Sequence, residues 1–136
     1  MPWLAVRSRS EVDKSMLNRK IEGDSIVFYD GTNRILTIGE AQTDEGILLT
    51  LAGELRTETA HDIQDEMIAL TTVGANIVVD MAGVTYISSS VQHVFLTVQK
   101  KTESMNRGAL TLRNLPEAVY QEFYRTGVSE LLMIDD

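Results

Sequence analysis

From Ile47 onward the sequence switches repeatedly between strand-like and helix-like hydrophobic spacing, and no other feature limits the possible folds as much. Residues 47–52 form a nearly continuous apolar run, as expected of a strand covered on at least one face, with Gly53 as its end. A helix follows. Thr57 or Thr59 can cap it, and Ala60, Ile63, Met67 and Leu70 recur at helical spacing before the stop at residues 71–74. Residues 77–81 are short and β-branched, and predict the next strand. A second helix is expected to start within about two residues of Ser89, because Val91, Val94, Phe95, Val98 and Met105 share a face and Gly108 makes a stop. Residues 109–113 alternate as a strand, and Pro116 opens a third helix. Val119, Phe123 and one of Tyr120 or Tyr124 are expected to point inward there, with Gly127 as terminator and residues 131–134 as a last strand.

The order from residue 47 is therefore β-α-β-α-β-α-β, which implies an α/β layer fold with right-handed crossovers between parallel strands. Each helix is apolar on one face only, so the three cover one side of a single sheet or wrap its edges. Two or three short strands precede this core: residues 25–29, the Asp30-Gly31 hairpin signal, and residues 34–38. Residues 1–23 read as an extension to a domain spanning 24–136. A short helix over 12–20, capped by Ser10, and a mobile arm are both open readings of it.

Charge narrows the function. The chain of 136 residues is one domain long and carries a net charge of −8. Residues 1–25 hold five Lys/Arg and four Asp/Glu, so the remaining body carries −9 and would repel nucleic acid and anionic lipid. No apolar run has the roughly 18 residues of a membrane span, and no stretch reads as a signal peptide. A cytoplasmic location is expected. The absence of cysteine excludes a thiol nucleophile and a Cys-based metal site.

Catalytic candidates are few. His61 and His93 are the only histidines; His93 lies four residues after Ser89 and could share its helix face, but no third member or oxyanion hole is evident. Both read as solvated imidazoles. Metal-ligand spacing and phosphate-binding glycine motifs are absent, and no cofactor is expected. The run Ser88-Ser89-Ser90 stands out. Serine is a preferred N-cap, and Ser89 with Gln92 fits the S-x-x-Q capping box. A hydroxyl at a helix start also tolerates added phosphate, so capping and phosphorylation both remain open.

Leu49-x-Leu51-x-Gly53-x-Leu55, a helix, and then Val78-Val79-Asp80-Met81-x-x-Val84-x-Tyr86-Ile87-Ser88-Ser89-Ser90 together resemble the STAS domain of anti-sigma factor antagonists, over roughly residues 45–136. The resemblance implies a mixed sheet with helices on one face. It also implies a bacterial, non-enzymatic signalling module that acts on transcription through protein–protein contacts. The implied partner is an anti-sigma factor or serine kinase-like protein, which would hold the ATP. By position, Ser89 stands at the family's phosphoacceptor, with Ser88 and Ser90 as alternatives. The implied partner-binding surface comprises Gly53, Glu54, Arg56, Thr57, Ser88, Ser90 and Gln92.

Three positions depart from the family pattern. Ser88 replaces an Asp, Val91 a Gly, and Arg56 an Asp. The first removes a carboxylate, the second puts a branched side chain where a partner backbone would approach, and the third reverses a charge. A constitutive STAS-like subunit of a transporter or signalling assembly, with no phosphorylation, is therefore the alternative. A Ser89–His93 hydrolase is a distant one. Exposed sheet edges also leave a homodimer open.

Overall fold

A computed structural model of the chain describes residues 17–105 and 108–135. Four strands come first: β1 (Asn18–Glu22), β2 (Ser25–Asp30), β3 (Asn33–Thr43) and β4 (Gly46–Leu55). Short turns join them, so each pairs antiparallel with the next. From β4 the connections are helical: α1 (Ala60–Thr71), β5 (Ile77–Ile87), α2 (Ser89–Met105), β6 (Leu110–Arg113), α3 (Glu117–Thr126) and β7 (Met133–Asp135). β4 to β7 pair in parallel, and the seven strands lie in the sheet in chain order. Right-handed crossovers that always step the same way leave every helix on the same side of the sheet. The expected mixed α/β sheet with helices on one face is what forms.

Register carries the packing. Leu49 lies beside Val79, and Val79 beside Leu112, so one apolar row faces the helices across three strands. Ile63 and Met67 of α1, Phe95 and Val98 of α2, and Val119 and Phe123 of α3 complete the same core. The Phe95 and Phe123 rings meet at 6.2 Å between centroids and tie α2 to α3. No helix among the described residues is long and apolar enough to cross a membrane.

Several boundaries differ from the sequence reading. β4 continues through Gly53 to Leu55, and β5 continues past Met81 to Ile87. The two strands keep pairing as far as Leu55 and Ile87 by taking up register shifts, one of them between Gly53 and Glu54. A bulge breaks the hydrophobic alternation without ending the strand. Thr59 stands at the N-cap of α1 but makes no side-chain cap bond: residues Thr57–Thr59 form a 3-10 turn, and the Thr59 hydroxyl donates to the Arg56 carbonyl at 3.0 Å. Tyr120 and Tyr124 are 37% and 64% exposed, because Val119 and Phe123 already fill the inward stripe of a ten-residue helix. Leu131 lies outside the last strand, since Val128–Glu130 form another 3-10 turn just before it. Of the helix read over residues 12–20, residues 12–16 lie outside the described residues, whereas Asn18, Arg19 and Lys20 are strand. Pairing with β2 holds this edge strand in the sheet, and Lys20 sits over the Tyr29 ring at 5.2 Å.

Candidate functional site

The site is built where β4 and β5 end side by side. The Ser88 amide donates to the Leu55 carbonyl at 2.9 Å, the last link between the two strands before they part. Arg56 then enters the turn before α1, and Ser88 enters α2.

The three serines take three different environments. Ser88 is 7% exposed, and its Oγ accepts the Val91 N–H at 3.3 Å. Its carbonyl accepts the Gln92 N–H at 3.1 Å. Ser88 is therefore the N-cap, which corrects the assignment of that role to Ser89 and removes the Ser89–Gln92 capping box. Ser89 is the first residue of α2, and it is exposed. Its hydroxyl makes no hydrogen bond among the described residues. Ser90 is half-buried, with the Thr57 hydroxyl 3.5 Å away. The distribution predicts a contrast in stability. Ser88→Ala should cost about 0.5–2 kcal/mol in urea denaturation, while Ser89→Ala should stay within roughly 0.5 kcal/mol of the parent.

Gln92, read as part of the docking surface, turns inward, and Val91 is buried as its helical spacing predicts. Gln92 is 3% exposed, and its Oε1 accepts the Thr126 hydroxyl of α3 at 2.8 Å. It braces two helices, so it is not part of an exposed docking face. Val91 is fully buried in the core, so its branched side chain points away from any approaching partner. One turn of helix explains both: with Ser88 outside the helix as cap, Val91 and Gln92 rotate toward the sheet and α3. The Ser at position 88, where the resemblance implies an Asp, keeps the capping role, since Ser and Asp cap helices comparably.

Gly53 has a backbone role. Its φ is +110°, and a Cβ there would stand 2.1 Å from the Ile35 carbonyl oxygen of β3. The close approach of the two strands requires glycine. Glu54 and Arg56 form an ion pair at 2.8 Å, and the carboxylate holds the guanidinium pKa above its ordinary value. The positive charge at position 56 is thus largely answered by its own neighbour. Thr57 is exposed.

Two shallow clefts flank these residues. One, about 340 Å³, is lined by Glu54, Arg56, Thr57, Glu58 and Tyr86. The other, about 420 Å³, lies between residues 85–89 and the α3 side chains Ala118, Val119, Glu122 and Arg125. Tyr86, 52% exposed, lines both and forms the ridge between them. Glu58, Tyr86, Glu122 and Arg125 are the charged and aromatic residues of this surface that the sequence reading did not place there. Arg125 lies 36 residues beyond Ser89, and no periodicity connects the two.

The other candidates do not assemble. His93 is exposed and makes no hydrogen bond to Ser89; His61 Nε2 lies 3.2 Å from Asp65 on its own helix. No group of three metal-ligating side chains occurs among the described residues. A larger cavity of about 860 Å³ is lined by Val78, Thr111 and Arg113, whose register places them on the sheet face away from the helices. Arg113 there is engaged by Glu45 and Asp135, each at 3.3 Å.

The sequence profile of the STAS domain matches residues 40–136. The chain belongs to the STAS domain family. It is 25% identical over 99 residues to the anti-sigma-B factor antagonist of Bacillus subtilis (strain 168), covering 73% of this chain and 90% of that one. The anti-sigma factor antagonist SpoIIAA in its unphosphorylated form shares the fold, with a TM-score of 0.61 and 18% identity over 73% of this chain and 88% of that one. The phosphorylated form of the Bacillus cell fate determinant SpoIIAA gives a TM-score of 0.56 at 19% identity, over 73% and 91% of the two chains. STAS domains of this kind are binding and regulatory proteins, and this chain is one of them rather than an enzyme. The profile match begins inside β3, so β1 and β2 of this STAS protein lie outside it.

Proposed function

We propose that this STAS protein is an anti-sigma factor antagonist-like regulator whose docking surface is the crevice around Tyr86, switched by phosphorylation of Ser89 by a partner serine kinase in the cytoplasm. The observation that carries the reading is the division of labour among the serines. Ser88 is buried in the cap, which leaves Ser89 exposed at the helix start with an unengaged hydroxyl beside two clefts. In the reaction the Ser89 oxygen would attack the γ-phosphorus of ATP held by the partner. The bond to ADP would break, and the hydroxyl proton would pass to a base of the partner. The helix N-terminus tolerates the new charge within the chain. At the interface the same charge must be desolvated against the partner, which favours release.

Affinity capture with the full chain, followed by mass spectrometry of both proteins, identifies the partner. Ser89→Asp is then expected to weaken binding at least tenfold, about 1.4 kcal/mol, with an unchanged circular dichroism spectrum, while Ser89→Ala binds as the parent does. Equal affinity for all three would remove the switch and leave a constitutively bound STAS subunit.

A further inference from the structure

The cleft beside Ser89 has a cation in its wall that the proposed docking and switching do not use. Arg125 projects from the last turn of α3 and pairs with Glu122, Nη2 to Oε1, at 2.6 Å, with side chains 68% and 43% exposed. Its guanidinium pKa is raised by that carboxylate. The pair lines the same cleft as Ser89, and α2 carries no acidic residue in its first turn. The cleft is held in shape by packing beneath it: Val119 and Phe123 are buried in the core, and Thr126 is bonded to Gln92. α3 is therefore fixed against the start of α2, with Arg125 and Ser89 lining one cleft.

We propose that Arg125 binds the phosphate of phosphorylated Ser89 within the same chain, exchanging Glu122 for it; this rests on Ser89 being the phosphoacceptor. Two physical differences favour the exchange. An exposed Arg–carboxylate pair contributes little once water screens it, so little holds Arg125 where it is. A phosphoserine brings a charge of roughly −1.5 to −2 and three acceptor oxygens, a better match to the guanidinium fork than one carboxylate. Glu122 itself would repel the phosphate, and the movement of Arg125 between them relieves this. The other charges of the crevice, Glu54, Arg56 and Glu58, line the cleft beyond the Tyr86 ridge. Arg56 is also already engaged by Glu54. The phosphorylated state would then differ from the free one by a closed Ser89–Arg125 bridge across the cleft as well as by added charge.

The test needs neither kinase nor partner. Phosphoserine is placed at position 89 of the full chain during synthesis, and its phosphate is titrated by phosphorus NMR in the parent, Arg125→Gln and Arg56→Gln backgrounds. A guanidinium bound to the phosphate stabilises the dianion and lowers its second pKa from the ordinary value near 6. Arg125→Gln is expected to raise that pKa by about 0.5 unit or more relative to the parent, roughly a threefold change in proton affinity. Arg56→Gln should track the parent. Coincident titrations of parent and Arg125→Gln would overturn the bridge, as would an equal shift from Arg56→Gln. Arg125 lies on an exposed helix face, so circular dichroism should report an intact fold in both variants. Partner binding by Ser89→Asp is measured separately, so failure of the bridge and failure of the switch give different results.

Discussion

Gly53→Ala is expected to lower stability by about 3 kcal/mol and the melting temperature by roughly 10 °C. Two costs add at this position. The backbone φ of +110° is one that L residues rarely adopt, and the new methyl would meet the Ile35 carbonyl at 2.1 Å. The atoms it would meet, the Ile35 carbonyl and the Leu36 Cα, are backbone of β3 and cannot swing away as a flexible side chain could. Relief requires the strands to separate at the point where β4 shifts register against β5. Urea denaturation checks the size, and a midpoint within experimental error of the parent would show that the bulge can relax. The effect bears on the candidate site because Glu54 and Arg56 follow directly: a displaced bulge should also weaken binding at the proposed docking surface without any change in its side chains.

Phe123→Ala should be larger, about 3–5 kcal/mol, the usual cost of emptying a fully buried aromatic position. α3 offers only Val119 and Phe123 to the core, so Phe123 supplies most of its anchorage. Once it is removed, the Thr126–Gln92 bond loses its support, and a buried amide risks being left without a partner. Hydrogen exchange should show the α3 amides opening far more than those of β4 and β5. Uniform acceleration across the sheet would indicate instead that α3 and the core unfold together. Because α3 carries Glu122 and Arg125, the same variant should widen the cleft beside Ser89.

Much of the architecture was legible because it rests on local periodicity. Leu49, Leu51, Val79 and Leu112 alternate as strand residues must, and Val91, Val94, Phe95 and Val98 fall on one stripe as helix residues must. Such patterns survive in the linear sequence because each residue's burial is dictated by the element it belongs to. The ends of β4 and β5 were not legible. Their last residues are held by pairing with each other through bulges, and a bulge looks like a strand end when only one strand is read. β1 was missed for a related reason: its five residues are all exposed, so nothing in their hydrophobicity marks them, and its support is the neighbouring β2.

By itself, then, the sequence determined the alternation of elements, the α/β class, the placement of Ser88, Ser89 and Ser90 at a helix start, and the family motif. Each of these depends on neighbours within a few residues along the chain. Only the tertiary structure decided which serine caps and which is free, because the Ser88 amide is claimed by Leu55 across the sheet and its hydroxyl by the turn that follows. Only it turned Gln92 away from the surface, through a bond to Thr126, and brought Arg125 to the wall of the Ser89 cleft. Apart from the Ser88 hydroxyl's bond to Val91 three residues on, those assignments depend on bringing together residues more than 30 positions apart. They exist only once the parallel crossovers have stacked α2 and α3 on the same face of the sheet.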